Sequence, residues 1–317
     1  MRLESADEHE IEDDRLRLIF TCCHPAIPLE ARVGLTLRTV VGLPVAEIAR
    51  AFLVPETTMA QRLVRARRKI EHAAIPYRVP PADLLEERLN GVLAVLYLVF
   101  NAGYSDVRFA DLAVSARSLA EAVVDLMPLE SESRGLLALI LLQHSRRRAR
   151  SNADGELLTL EEQDRSRWVG ADIERGSATL AEARSRGPYV LQALIAQCHA
   201  TAPTPAATDW SRIVSLYDEL MSWTSSPIVA LNRAIAVGMR DGPAAGLVLL
   251  ADVARDLPGH HLVPAAQADL LRRAGRDAEA ANRYREAIEL APTAEERAQL
   301  SRRLGELNPP RSNPPHR

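Results

Sequence analysis

Residues 44–73 constrain the fold of this chain more than any other stretch, because two apolar series are separated by a break at residues 53–56. Three apolar residues share one face of a short first helix, and four in the second helix recur at i, i+4, i+7 and i+11, which forms one stripe. The pattern predicts two helices joined by a tight turn. The two faces consist of Ile48, Ala49 and Phe52 in the first helix and Met59, Leu63, Ala66 and Ile70 in the second.

The face opposite the second stripe is basic, and it begins where a helix-turn-helix presents side chains to the base edges of DNA. Pro55 can open the second helix, and Glu56 complements its positive N-terminus. The alternative is a solvated basic helix on a protein that does not bind DNA. Two groups are predicted: the N-terminal residues Thr57, Thr58 and Gln61, and the cations Arg62, Arg65, Arg67, Arg68 and Lys69, which mostly bind phosphate.

Composition favours an all-α protein with more than one packed unit. The 317 residues are 47% hydrophobic but only 4% aromatic, and alternating β-branched residues are scarce. The formal net charge of −3 means that affinity for DNA must come from a local basic patch. We therefore expect the DNA contact to be confined to the helix that begins near Pro55.

Three cysteines cannot form a disulfide framework, since Cys22 and Cys23 are adjacent and Cys198 is left over. Cys22, Cys23 and His24 lack a second pair of ligands for a tetrahedral metal site, so buried small residues at a helix end are the preferred interpretation. No apolar run is long enough to span a bilayer. We expect no metal, no cofactor, no membrane contact and a reducing cytoplasmic location.

Residues 43–70, together with the upstream segment 13–43, resemble region 4 of an extracytoplasmic-function (ECF) sigma factor. Four short motifs along the chain resemble the group of these factors with a long C-terminal extension of tetratricopeptide-like (TPR-like) repeats. The resemblance implies that helix 55–73 enters the major groove of the upstream promoter element, with Arg62 and Arg65 also at the bases. It also implies a contact with the β flap of the RNA polymerase core. The motifs are IFTCCHP (19–25), AEIARAFLVPETTMAQRLVRA (46–66), FNAGYS (100–105) and QDRSRW (163–168).

The sequence opens at region 4, whereas a complete sigma factor of this kind would first have region 2, which contacts the polymerase clamp and melts the promoter. A late gene start, a separately encoded region 2 and a truncated protein remain open. We expect the printed chain alone not to support initiation. The predicted organisation is a linker remnant (1–12), a region 4-like helix-turn-helix domain (13–75), a linker (76–83), a helical domain (84–208), TPR-like repeats (209–307) and a disordered tail (308–317).

The central part of the chain is predicted to be a helical domain. Apolar patterns indicate helices at 84–100, 109–125 and 131–148, with a turn at 101–106. Arg146, Arg147, Arg148 and Arg150 follow the third apolar run, where the helix dipole favours cations; a second DNA or polymerase contact is the less favoured alternative.

Charged residues crowd around a tryptophan at 161–168. Glu162, Asp164 and Arg165 could form a catalytic cluster, but no nucleophile lies at a suitable spacing. A polar network that holds helices together, with Trp168 packed beside it, is the preferred interpretation. We therefore expect no enzymatic activity.

A repeat with a period of 34 residues runs from about residue 210. The period predicts stacked helical hairpins that either present a face to a protein partner or pack within the molecule. The leading hypothesis is an ECF-type sigma factor; the alternative is a TPR-like protein-interaction regulator without sigma activity. The paired positions are Ala234 and Ala268, Val237 and Leu271, Gly246 and Ala280, Leu250 and Tyr284, Val253 and Ala287, and Pro258 and Pro292.

Overall fold

The structure is a computed structural model, and its described residues consist of helices and connecting turns, which confirms the predicted all-α fold. The acidic segment 1–12 and the proline-rich segment 308–317 lie outside the described residues. In the described part of the chain, no helix has the length and apolar character needed to cross a membrane. The described residues are 14, 17–52, 54–105, 110–153 and 155–307.

The chain forms two compact units and passes between them more than once. The first unit contains residues 1–144 and 175–185, and the second contains residues 145–174 and 186–317. Among the described residues, seven α-helices and the end of an eighth build the first unit, and a π-helical segment (Leu37–Val41) follows the second of them. They are α1 (including residues 17–22), α2 (Leu29–Thr36), α3 (Val45–Ala51), α4 (Glu56–His72), α5 (Ala82–Ser105), α6 (Ala110–Leu126), α7 (Ser131–His144) and α8 (Gly170–Ala181).

Helix α7 is the buried centre of the first unit, as its apolar sequence predicts. Every residue from 135 to 142 is buried. Residues 175–181 of α8 pack against α7, since a Cβ at Gly176 would lie 3.0 Å from Cγ of Leu142. The backbone N–H groups of Arg184 and Ser185 both donate to the hydroxyl of Ser131, which attaches the end of this segment to the start of α7.

Two predicted boundaries in this unit were wrong. The predicted turn at 101–106 is helical as far as Ser105. Phe100 and Tyr104, which are one helical turn from each other, stack their rings with a centroid distance of 5.3 Å and so stabilise this end of α5. Helix α7 ends at His144, so Arg146 to Arg148 lie in the turn that follows it rather than in its last turn. Arg147 instead pairs with Asp172 at 2.7 Å in the second unit.

The second unit is an array of antiparallel helices preceded by a polar segment. Its consecutive helices pack side by side, and Gly238 and Gly246 allow the closest approach: a Cβ at Gly246 would lie 2.8 Å from Cα of Gly238. The helices that follow α8 are α9 (Pro188–Thr201), α10 (Trp210–Trp223), α11 (Pro227–Asp241), α12 (Pro243–Asp256), α13 (Leu262–Arg273), α14 (Asp277–Leu290) and α15 (Ala294–Leu307).

Positions 34 residues apart occupy corresponding places in successive helical hairpins. Ala234 of α11 and Ala268 of α13 are both buried, and Leu250 of α12 and Tyr284 of α14 are both buried. The first pair lies in the first helix of each hairpin and the second pair in the second helix. The burial of these two pairs agrees with the 34-residue period of the sequence.

Candidate nucleic-acid interface

Helix α4 packs against α2 and α3 through the stripe predicted from the sequence. Met59, Leu63 and Ala66 are between 1% and 4% exposed, and Ile48 of α3 is fully buried. Ile70, the fourth residue of the stripe, is only half-buried because it lies near the end of the helix. The stripe is thus confirmed over its first two turns, and it fixes which face of α4 points outward.

Helices α3 and α4 are separated by four residues, of which the structure describes 52, 54 and 55. Helix α3 ends at Ala51, and α4 begins at Glu56, with Pro55 in an extended conformation (φ −58°, ψ 144°) immediately before it. The carbonyl of Pro55 accepts from the N–H of Met59 at 3.1 Å, so it is the first hydrogen-bond acceptor of the helix. Pro55 has no N–H, so it adds no unsatisfied donor at this end. The short turn positions the start of α4 beside α3.

Helix α4 ends in a Schellman motif that uses alanine where glycine is usual. Ala74 has a positive φ of 48°. The N–H of Ile75 donates to the carbonyl of Ile70 at 3.0 Å, and the N–H of Ala74 donates to the carbonyl of Glu71 at 3.2 Å. Ile75 is buried, so this cap returns the chain to the core and sets the length of the basic helix.

The outward face of α4 contains four of the eight residues predicted to contact DNA. Successive helix residues are separated by about 100°, so Thr57, Gln61 and Arg68 project away from Met59. Thr57, Gln61, Arg65 and Arg68 are exposed. Thr58 and Arg62 are half-buried at one flank.

Two features of this face were not predicted. Val64, an apolar residue outside the i, i+4 stripe, lies between the predicted polar positions and is 46% exposed. By helix geometry Arg67 lies on a flank of α4 rather than on its outward face. Its positive charge acts on the thiol of Cys22, at the end of α1.

The cations of α4 have no ion-pair partner among the residues that the structure describes. Helix α4 contains five Lys and Arg residues against Glu56 and Glu71. Among the described residues, no carboxylate lies within ion-pair distance of any of the five; the guanidinium of Arg65 donates only to the amide oxygen of Gln61, at 3.4 Å. The arginines of the second unit, in contrast, are largely paired with carboxylates. An exposed, positively charged helix face of this kind suits a polyanion.

Cys22, Cys23 and His24 each have a separate local partner. Burial raises the pKa of both thiols to about 12, although hydrogen bonds with Thr39 and Thr36 act in the opposite direction. His24 Nδ1 accepts from the N–H of Ala26 at 3.1 Å. Within the part of the chain that the structure describes, no three His, Cys, Asp or Glu residues are arranged to hold a metal.

The residues considered for a catalytic cluster have different structural contacts in the second unit. Glu162 pairs with Arg302 at 2.7 Å, and Asp164 accepts from the N–H and hydroxyl of Ser166. Arg165 donates to the carbonyls of His199 and Ala202, both at 2.8 Å, and its guanidinium lies 4.4 Å from the ring centroid of Trp168. These contacts connect helices, in agreement with the predicted polar network.

Comparison with known protein families matches two successive segments of the chain. Residues 17–70 match the family described as Sigma-70, region 4, a transcription regulatory domain rather than an enzyme family, and residues 88–184 match a family of unknown function, DUF6596. The chain is 42% identical over 309 residues to "Uncharacterized protein R00370" of Rhizobium meliloti (strain 1021), covering 95% of this chain and 73% of that protein. The chain therefore belongs to the same family as that protein, and it is a sigma factor-like protein with region 4 followed by a C-terminal extension.

Proposed function

We propose that this chain is an ECF-type sigma factor whose helix α4 binds the upstream promoter element during transcription initiation. The observation that carries the proposal is the outward face of α4, where exposed polar and basic side chains lie opposite a buried stripe and form no ion pair with any carboxylate of the described residues. The match of residues 17–70 to sigma-70 region 4 supports a DNA-binding role for the same helix.

The proposed contacts divide by position along α4. Residues in the first three turns would face base edges, because a recognition helix enters the major groove by its N-terminal end. Residues further along would bind phosphate and supply affinity with little sequence preference. The proposed base contacts are Thr57, Thr58, Gln61, Arg62 and Arg65, and the proposed phosphate contacts are Arg67, Arg68 and Lys69.

We further propose that region 4 contacts the β flap of RNA polymerase and that the extension regulates the factor as a TPR-like array. The matched region 4 family supports the polymerase contact. Buried residues 34 apart, such as Leu250 and Tyr284, support TPR-like hairpins. The extension's partner would then be a protein segment or a part of this chain.

The experiment that tests the proposal is selection from a randomised double-stranded DNA pool, followed by sequencing, across a series of salt concentrations. The wild-type chain should enrich one motif, and its affinity should fall steeply with salt because cations release counterions from DNA. The double variant Arg62→Ala/Arg65→Ala should lose the motif, whereas Arg285→Ala, at an exposed position of α14, should retain it.

Absence of both enrichment and binding at low salt would contradict the proposal. That outcome would favour the alternative, a TPR-like protein-interaction regulator that acts without sigma activity. The alternative makes its own prediction, because a defined protein partner would then bind residues 209–307 with an affinity that is independent of DNA.

A further inference from the structure

An acidic segment of the second unit lies against the helical array that follows it. We call residues 156–165 the acidic strap; they contain four carboxylates and one arginine. Two adjacent carboxylates of the strap reach arginines more than 100 positions away, since Glu161 pairs with Arg273 of α13 and Glu162 pairs with Arg302 of α15. Long-range ion pairs therefore attach the strap to the array, in addition to the bridge between Ser151 and Leu157 and the turn at residues 159–162.

The arginines that receive the strap form a compact cluster on α13 and α15. Asp269 pairs with three of them, at 3.0 Å from Arg272, 2.9 Å from Arg273 and 2.7 Å from Arg303. Arg302 also pairs with Glu306 at 2.7 Å. We call Arg272, Arg273, Arg302 and Arg303 the arginine cluster.

The arginine cluster has more positive charge than the carboxylates that it contacts on α13 and α15 can balance. Four arginines face two carboxylates, Asp269 and Glu306, which leaves an excess of two positive charges. Glu161 and Glu162 of the strap supply two negative charges at hydrogen-bond distance, and a third, on Glu156, lies 3.8 Å from Arg302. Partly buried cations require such partners, because an unpaired charge away from water is costly.

The backbone of the strap is recognised as well as its carboxylates. Arg302 donates to the carbonyl of Leu157 at 3.4 Å, and it lies 3.8 Å from the carboxylate of Glu156. At the other end of the strap, the side chain of Arg165 donates to the carbonyls of His199 and Ala202, at the C-terminal end of α9. The strap therefore contacts α9, α13 and α15. These helices and α11 are separated from one another along the chain by α10, α12 and α14. In an array of helical hairpins, alternate helices line the same face.

We propose that the arginine cluster is a recognition site for a segment that presents two adjacent carboxylates from a turn, and that the chain's own acidic strap is its internal ligand. The strap thereby closes one face of the array in the state described here. This inference rests on the part of the proposed function that gives the extension a regulatory role, names the chemistry of its partner and requires no DNA. A competing segment would need the same chemistry, two adjacent acidic side chains on a turn like that of residues 159–162.

Hydrogen exchange of the full chain provides the first test. Glu161→Gln/Glu162→Gln keeps the shape and hydrogen-bonding oxygen of each side chain but removes its charge. Exchange of the amides of residues 157–163 should be about tenfold faster or more in this variant, and 0.5 M NaCl should accelerate it in the wild type. Glu219→Gln, which removes the exposed pair with Arg186, is the matched control and should leave these amides unchanged. Unchanged exchange in the double variant would overturn the proposal.

Binding of a synthetic peptide with the sequence of residues 155–168 provides the second test. The full-length Glu161→Gln/Glu162→Gln variant should bind the labelled peptide about tenfold or more tightly than the wild type does, because its internal ligand is weakened. Adding Arg302→Gln to that variant should abolish binding, while circular dichroism should show an unchanged helical content. Equal binding by the wild type and the double variant, or binding that survives loss of Arg302, would contradict the assigned site. Neither measurement involves DNA, so its failure is distinct from failure of the proposed function.

Discussion

Gly34 of α2 lies directly against Met59 of α4, and a Cβ added to Gly34 would be 3.3 Å from the Met59 sulfur and 3.5 Å from Cδ2 of Leu63. This close approach holds the basic helix against the rest of region 4. Gly34→Leu should therefore lower the free energy of unfolding of the first unit by about 1–3 kcal/mol and weaken DNA binding. Urea unfolding monitored by circular dichroism measures the change. Gly305→Leu on α15, where a Cβ would meet nothing within 4 Å, is the control and should not destabilise the protein; equal losses in the two variants would contradict the packing argument.

Gln61 and Arg68 both project from the outward face of α4, but we expect them to have different roles. Gln61→Ala should cost about 1–3 kcal/mol at the selected site and relax its sequence preference, if the amide contacts a base edge. Arg68→Ala should weaken binding to all sequences equally and reduce the salt slope by about 1, because it removes one phosphate contact. Fluorescence anisotropy measured with the selected and scrambled duplexes distinguishes a base contact from a phosphate contact. A change in sequence preference caused by Arg68→Ala would reverse the assignment.

The end of α4 offers a stabilising substitution. Ala74→Gly should raise the free energy of unfolding by about 0.5–1 kcal/mol, because glycine adopts the positive φ of this position without the steric cost that alanine has. The neighbouring Ala73, at φ −84°, is the matched control, and Ala73→Gly should be neutral or destabilising. Denaturant midpoints of the two variants check the prediction, and a lower midpoint for Ala74→Gly would contradict it.

The three thiols should be unreactive in the folded protein. Burial raises the pKa of Cys22 and of Cys23 to about 12 and also raises the pKa of Cys198. At pH 8 the two adjacent thiols should therefore be thiolate in only about one molecule in ten thousand. Iodoacetamide labelling followed by mass spectrometry should detect modification only after unfolding in urea. Rapid labelling of Cys22 or Cys23 in the native chain would show that this helix end opens readily.

His199 should make the second unit less stable in mild acid. Burial, and then the positive charges of Arg146 and Arg165, lower the pKa of His199 from 6.5 to about 4. Between these values the unfolded chain binds a proton that the folded chain does not, so stability decreases as pH falls. The free energy of unfolding should drop by up to about 3 kcal/mol from pH 6.5 to pH 4.

The variant His199→Phe tests this account. It keeps a ring beside Trp210, whose centroid lies 5.3 Å from that of His199, but it cannot be protonated. Urea unfolding at pH 7, 5.5 and 4.5 should show a shallower pH dependence for the variant than for the wild type. An identical dependence would mean that other groups account for the acid sensitivity.

Much of the fold and part of the candidate site could be predicted from the sequence, because they rest on local patterns. The stripe of Met59, Leu63 and Ala66 depends on residues three and four apart, so the helix and its outward face follow from spacing alone. The unbroken apolar run in α7 predicted its burial, and the 34-residue period predicted equivalent helical hairpins. The excess of cations in α4 is likewise a property of composition.

Tertiary structure decided what local spacing could not. Three features depend on how distant helices pack. They are the effect of Arg67 on Cys22, the division of the chain into two units at residues 144 and 174, and the pairs of Glu161 with Arg273 and of Glu162 with Arg302. Periodicity within a helix says which residues share a face but not which distant side chain meets them. The sequence alone therefore determined the helices and the basic face of α4, whereas packing determined which distant charges pair with one another in the second unit.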